Sequence, residues 1–163
     1  MQRDEVIQAV NEVDQRVAGL RGRMEANADA PLPTGEWRVR DAASHLAARS
    51  NPVANVLRRI AAADAQAPNP PPRVNVDEIN HGQVEERADR SIQEILDELQ
   101  AGHRATIENL PPDDMLARTL PAVQAGDITV GEMIARSGAR HEQNHLNDIE
   151  AALTNAEAAV KAS

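Results

Sequence analysis

The sequence contains no cysteine, no phenylalanine, no tyrosine and a single tryptophan, Trp37. Without cysteine the chain has no disulfide framework, no thiolate nucleophile and no cysteine-type zinc site. Aromatic and β-branched runs typical of strands are also missing. The apolar residues, 41% of the chain, are therefore mainly Ala, Val, Leu, Ile and Met, which favour helix because Ala and Leu lose little side-chain freedom there.

Acidic residues outnumber basic residues, 26 to 17, and the resulting net charge of −9 argues against nucleic acid or an anionic membrane as the partner. No apolar run approaches the length that would span a bilayer. The first residues, MQRDEVIQAV, carry acids where a signal peptide needs an uninterrupted apolar core. We therefore expect a cytoplasmic protein.

The periodicity of apolar residues predicts an all-α domain, residues 1–163, with four helical segments. They cover about residues 4–24, 37–63, 75–110 and 129 onward. In the first, one narrow apolar stripe is formed by Val6, Val10, Val13, Val17, Leu20 and Met24. Pro52 is predicted to kink the second, and Pro111 and Pro112 to end the third. The tract DAQAPNPPPRVN, residues 64–75, is predicted to be extended and long enough to run along a bundle.

The last helix carries the motif HEQNH, residues 141–145, and begins at a predicted capping box of Thr129 and Glu132. Its apolar stripe turns polar halfway along: Val130, Ile134, Ser137, His141, His145, Asp148 and Ala152. His141 and His145 lie one turn apart on the inner face, where two imidazoles can converge on one cation. Three interpretations are open: a zinc-protease helix, another metal helix, or a structural or solvent-facing pair.

The protease interpretation lacks a third ligand on a later element, because only 18 residues follow His145. Glu142, the would-be base, is predicted to face solvent or to pair with an arginine. Three other histidines could complete a metal site. His45 has the most apolar surroundings, whereas His81 and His103 are predicted to be solvated.

Two further residues near these segments have open roles. Trp37 precedes the second helix and is predicted to pack against its start, or to wall a pocket. Asn80 is predicted to line an interior pocket, to cap a helix or to face solvent.

Three stretches, taken in order, resemble the DinB/YfiT-like superfamily. GEWRVRDAASHLAARS is similar to the family's second-helix signature, whose histidine falls on His45. ITVGEMIARSGARHEQNHLNDIEAAL resembles the final helix, whose histidine pair falls on His141 and His145. The middle of the chain, NVDEINHGQVEERADRSIQEILDELQAGHRATIENLPPDD, resembles the branch that includes mycothiol-dependent maleylpyruvate isomerases.

The resemblance implies a four-helix bundle with up-down-down-up order and a long crossover between helices 2 and 3. It implies that His45, His141 and His145 hold a divalent metal, zinc or nickel. The implied function is an S-transferase or isomerase that acts on a small molecule with mycothiol or another low-molecular-weight thiol. Relatives often pair as homodimers. A metal-dependent hydrolase and a metal-free helical ligand-binding or interaction protein are the alternative functions.

Overall fold

The computed structural model describes residues 1–33, 35–65, 75–122 and 126–163. These residues are predominantly helical, as the sequence predicts. The helices are α1 (Arg3–Ala26), α2 (Val39–Arg49), α3 (Val53–Asp64), α4 (Val76–Glu85), α5 (Ile92–Glu108), α6 (Asp113–Leu116), α7 (Val130–Ser137) and α8 (Ala139–Lys161). A two-stranded antiparallel hairpin joins β1 (Thr119–Ala122) to β2 (Gly126–Thr129). The predicted crossover tract falls largely on residues 66–74, outside the described residues.

The apolar stripe predicted for α1 is confirmed, because all six of its residues are buried. They pack into one core with α2, α5, α7 and α8, whose largest fully buried side chains include Leu46, Leu99, Ile134, Leu146 and Leu153. The predicted start of α7 is also confirmed. Thr129 Oγ1 accepts a hydrogen bond from the Glu132 amide, and the Glu132 carboxylate accepts one from the Thr129 amide.

Three predicted segments are each broken into two helices. At Pro52, which cannot donate a backbone hydrogen bond, the second segment stops at Arg49 and resumes at Val53. The third segment stops at Glu85 and begins again after Ser91, which caps α5. The last segment changes direction at Gly138, where the backbone leaves the helical region at φ −106° and ψ −107°.

The hairpin is a feature that the sequence analysis missed. Thr119 pairs with Thr129, and Leu120 with Ile128, in strands of four residues each. The ladder leads directly into α7, since the amide of Val130 donates to the carbonyl of Arg118. Strands this short carry too few residues for a visible alternation of apolar and polar side chains.

Ion pairs show how α1 runs relative to α8. Arg16 pairs with Glu150 at 2.8 Å, and Arg23 pairs with Glu157 at 2.7 Å. Because the numbers rise together on the two helices, α1 and α8 run in the same direction. The contacts between α1 and α5 have the opposite order, since Arg21 pairs with Asp97 whereas Asp14 meets His103.

Helices α2 and α5 run in the same direction and approach closely. The Arg40 guanidinium donates to the carbonyl of Arg90, just before α5, and Thr106 donates to the carbonyl of Ser50 at 2.9 Å. Gly102 permits the approach, because a Cβ at this position would overlap the side chain of Ser50. This packing fixes the height at which α2 presents His45 to the interior.

None of the helices that the structure describes combines the length and the apolar character that crossing a membrane requires.

Candidate functional site

The rings of His45, His141 and His145 converge in the interior between α2 and α8. One ring nitrogen of each residue lies within 4.8 Å of those of the other two. Nε2 of His45 and Nε2 of His141 are 2.9 Å apart. The ring centroids are separated by 4.6 to 5.2 Å. His45 is 2% exposed, and the two histidines of α8 are half-buried. We call these three residues the histidine cluster.

Gln83 of α4 fixes the orientation of the His45 ring. Its carboxamide oxygen lies 2.9 Å from Nδ1 of His45. A carbonyl oxygen can only accept, so Nδ1 carries the proton and Nε2 keeps its lone pair. That lone pair faces Nε2 of His141 within the histidine cluster, and a metal-binding histidine needs such a free nitrogen on the side of the ion.

The environment of the histidine cluster favours neutral imidazoles. Burial lowers the pKa of His45 to about 4, against the opposing effect of its hydrogen bond with Gln83. Burial also lowers the pKa of His141 to about 4, and it shifts the pKa of His145 in the same direction. The cluster therefore presents uncharged nitrogen donors at neutral pH, the protonation state in which histidine binds metal ions.

Trp37 closes one side of the histidine cluster. Its ring lies 5.1 Å from that of His45 and 6.2 Å from that of His145, nearly parallel to the latter. Two roles were predicted for Trp37, packing against the start of the second helix and walling a pocket. Its contacts with the imidazoles agree with the second role. The protein's one tryptophan thus lies against the histidine cluster.

A cleft of about 520 Å³ opens beside Trp37. It is lined by Glu36, Trp37, Asp77, Glu78, Asn80 and His81. Asn80 contributes a buried Oδ1 that has no hydrogen-bond partner among the described residues, so it can accept from a donor group in the cleft. The acidic lining favours neutral or donor-rich molecules over anions on this side.

The prediction that His103 is solvated is wrong. The residue is 3% exposed and joins three helices. Its Nδ1 lies 2.8 Å from Asp14 of α1, and its Nε2 lies 2.6 Å from Glu142 of α8. Burial lowers the pKa of His103, but the hydrogen bond and charge of Glu142 outweigh that effect and the net shift is upward. The raised pKa favours the protonated form of His103, in which both ring nitrogens donate to the two carboxylates.

The prediction for Glu142 is also wrong. Glu142 is 1% exposed, and it pairs with His103 instead of facing solvent or an arginine. A zinc protease would need this carboxylate beside the metal as its general base. Here the rotation of 100° per residue directs Glu142 to α5 and His141 to α2. The protease interpretation of HEQNH therefore fails on geometry as well as on sequence context.

Three further residues lie near the site: the remaining histidine, His81, and two residues without a predicted role, Gln83 and Arg49. His81 is exposed and pairs with Glu85, consistent with the predicted solvated position. Gln83 and Arg49 both act on the histidine cluster. The charge of Arg49 contributes to the lowered pKa of all three histidines. Arg49 could have been found from its position four residues after His45, which places both on one helix face.

Comparisons with known proteins agree with the fold and with the family suggested by the motifs. Residues 8–137 match the family model described as the mycothiol maleylpyruvate isomerase N-terminal domain. The crystal structure of an uncharacterised protein from Escherichia coli UTI89 has the same fold, with a TM-score of 0.67 at 18% identity. The alignment covers 96% of this chain and 95% of the other. No curated protein shows significant similarity.

Proposed function

Because the chain belongs to the mycothiol maleylpyruvate isomerase N-terminal domain family, we propose that it is a metal-dependent enzyme that uses a low-molecular-weight thiol. The proposed reaction is an S-transfer or an isomerisation of a small molecule. The proposed ligands are His45, His141 and His145, and the proposed metal is zinc or nickel. Mycothiol is the thiol that the family description favours.

The observation that carries this proposal is the convergence of three neutral imidazoles at 4.8 Å or less. Nitrogen donors that each lie about 2 Å from one zinc ion are about 3.3 Å apart in tetrahedral geometry, so the three rings would move slightly closer together to hold the ion. Three protein ligands leave a fourth position open, as in catalytic sites and unlike closed structural sites. A divalent metal at this position would lower the pKa of a bound thiol and favour its thiolate.

The protein's own residues have distinct parts in the proposed site. Gln83 holds the His45 ring in one tautomer. Trp37 contacts the histidine cluster and also lines the cleft, so a molecule in the cleft would lie against the cluster. The buried oxygen of Asn80 would accept a hydrogen bond from the same molecule. Burial of His45 limits access of water from the α2 side.

We also infer that α1, α2, α5 and α8 form a bundle of up-down-down-up order within one domain, residues 1–163. The same direction of α1 and α8, the same direction of α2 and α5, and the opposite direction of α1 and α5 support this order. In such an order a long connection must link α2 to α5, and residues 64–75 lie within that connection in the sequence. Homodimer formation stays a prediction.

Metal content of purified protein tests the proposal. We expect about one equivalent of zinc or nickel per chain, lost in the His45→Ala variant. His81→Ala is the matched control, since it removes an exposed histidine outside the cluster and should keep the metal. Protein that binds no ion above background, or that loses none on His45→Ala, would contradict the proposal and favour a metal-free ligand-binding bundle.

Dependence on thiol separates the proposed reaction class from hydrolysis. A thiol-dependent transferase consumes an electrophilic test substrate such as monochlorobimane only when a low-molecular-weight thiol is added. We expect turnover with mycothiol and none without it. Ester hydrolysis by the metal-loaded protein without any thiol would instead identify a hydrolase that uses bound hydroxide.

A further inference from the structure

Helix α4 is attached to the rest of the protein without burying any of its side chains. Its apolar residues Val76 and Ile79 are exposed, and its main neighbour among the described helices is α2. Isolated helices shorter than about 12 residues are only marginally stable in water, and α4 has 10 residues. Segments with few buried apolar contacts open locally at a low cost in free energy. We therefore expect α4 to open more readily than the helices of the core.

The two ends of α4 are held differently. Just beyond its C-terminal end, Arg87 is 8% exposed and donates to the carbonyl of Gln83 at 2.9 Å. The same guanidinium forms a bidentate ion pair with Glu98 of α5. In the part of the chain that the structure describes, the polar contacts of residues 75–82 stay within α4. The helix is thus anchored at its C-terminal end and has no such anchor at its N-terminal end.

The less anchored half of α4 forms one wall of the cleft. The lining residues that it contributes are Asp77, Glu78, Asn80 and His81. Glu36 and Trp37 line the cleft from the segment that precedes α2. Because Trp37 also packs against the histidine cluster, a movement of this half of α4 would change the width of the cleft beside the cluster.

One side-chain contact connects α4 to the histidine cluster. Among the described residues, the hydrogen bond between His45 and Gln83 is the only one that joins α2 to α4. Coordination through Nε2 would fix the His45 ring with its proton on Nδ1, which is the proton that Gln83 accepts. The hydrogen bond in turn favours the ring position that binds a metal. Such a coupling between two sites is reciprocal in free energy.

We propose that α4 is a lid on the cleft, and that its closed position is coupled through Gln83 to metal binding by the histidine cluster. The inference rests on the proposed function, since it requires that His45 binds a metal. Partners of metal-binding histidines strengthen metal binding by about tenfold, so metal binding must reduce the opening of α4 by the same factor. The cleft would then take its closed shape mainly in the metal-loaded protein.

Hydrogen–deuterium exchange of the full chain, followed by mass spectrometry, tests the lid. With saturating Zn²⁺ the amides of α4 should exchange about tenfold more slowly than in the metal-free protein. Gln83→Leu should remove this difference, although the variant still binds zinc at saturation through its three histidines. Gln93→Leu, which replaces an exposed glutamine of α5, should behave as wild type. The amides of α1 serve as an internal reference, because they report any effect of zinc on global stability.

Two further variants keep the test decisive. Gln83→Glu still accepts from Nδ1 and should keep the slower exchange. Gln83→Asn shortens the side chain and should lose it, which gives the same test if Gln83→Leu does not fold. Zinc that binds to wild type without slowing α4, or that slows α4 equally in wild type and in the folded Leu or Asn variant, overturns the inference alone. Failure of wild type to bind zinc overturns the proposed function and this inference with it.

Discussion

The carboxamide oxygen of Gln83 accepts a hydrogen bond from Nδ1 of His45, at 2.9 Å between the two atoms. The contact joins α4, which contributes no proposed ligand, to the most buried ring of the histidine cluster. Rings that bind metals commonly depend on a second group that holds their other nitrogen. Gln83 is therefore a positioning residue for the proposed metal site.

Substitution of Gln83 by Leu should weaken metal binding by about tenfold, within the range measured for partners of metal-binding histidines. The loss has a physical cause, because His45 would be free to rotate and to protonate the nitrogen that faces the cluster. The dissociation constant is measured for Zn²⁺ by competition with a chromophoric chelator. Gln83→Glu, which still accepts from Nδ1, should restore most of the affinity.

Gln93→Leu is the matched control for Gln83, since Gln93 is exposed on α5. It should leave the zinc affinity unchanged. Equal affinities for wild type and Gln83→Leu would show that the hydrogen bond has no part in holding the ring.

Removal of His103 should destabilise the fold strongly. In His103→Leu the carboxylate of Glu142, 1% exposed, would stay buried without a partner. Breaking one side of a buried ion pair costs about 3–5 kcal/mol. We expect a loss of this size in the free energy of unfolding, measured by urea denaturation of the metal-free protein.

The double variant His103→Leu/Glu142→Leu should recover much of that loss, because it removes both polar groups together. His81→Leu serves as the surface control. His81 pairs with Glu85 at 3.0 Å in an exposed position, and such pairs are worth about 0–1 kcal/mol. A His103→Leu protein as stable as His81→Leu would show that the buried pair does not stabilise the fold.

Gly102 sets the distance between α2 and α5, so Gly102→Ala should destabilise the protein. The added Cβ would collide with Ser50, whose hydroxyl is already held by the carbonyl of Ala47 at 2.8 Å. Overpacking of this kind costs about 1–3 kcal/mol. Gly19→Ala in α1 meets no atom within 4 Å and should instead stabilise the helix by about 0.5–1 kcal/mol. Thermal unfolding of both variants measures the contrast.

The histidine cluster should make the metal-free protein less stable in acid. Because the folded pKa values of His45 and His141 are about 4, below the ordinary 6.5, the unfolded chain binds more protons between these values. The contribution of these two histidines to the free energy of unfolding is therefore fully present above pH 6.5, and it is lost as the pH falls toward 4. His103, with a raised pKa, contributes in the opposite direction.

We expect a decrease of roughly 3 kcal/mol in the free energy of unfolding from pH 7 to pH 5, measured in urea without metal. His45→Asn, which cannot protonate in this range, should flatten the slope. An unchanged slope in that variant would assign the acid sensitivity to other groups.

The parts of the fold that the sequence predicts correctly are those with a strong local pattern. The stripe from Val6 to Met24 needs only regular spacing, and the start at Thr129 needs only its own side chain and Glu132. The stripe and the helix start are signals that lie within a few residues or are repeated along the chain. The convergence of His45 with His141 and His145 is not local, and it was expected because the motifs, in their order and spacing, resemble the DinB/YfiT-like superfamily.

The residues that the sequence analysis placed wrongly depend on partners far away in the chain. His103 stands in the polar stretch QAGHRAT, and its two partners are 89 and 39 residues away. Nothing local distinguishes it from a solvated histidine. Similarly, the break at Gly138 faces Pro52, because a Cβ added at Gly138 would lie 3.0 Å from the ring of Pro52. That contact follows from the packing of two helices and not from either sequence segment alone.

Trp37 makes the histidine cluster observable, since it is the protein's only tryptophan and lies 5.1 Å from His45 and 6.2 Å from His145. A paramagnetic ion such as Ni²⁺ at the proposed site would quench its fluorescence strongly at this distance. Titration of the metal-free protein should therefore give saturable quenching of more than about half the emission, with a stoichiometry near one. His145→Ala should abolish the saturable component, and His81→Ala should keep it. Quenching that is linear and equal in all three proteins would indicate collisions in solution, because a bound ion beside Trp37 must saturate.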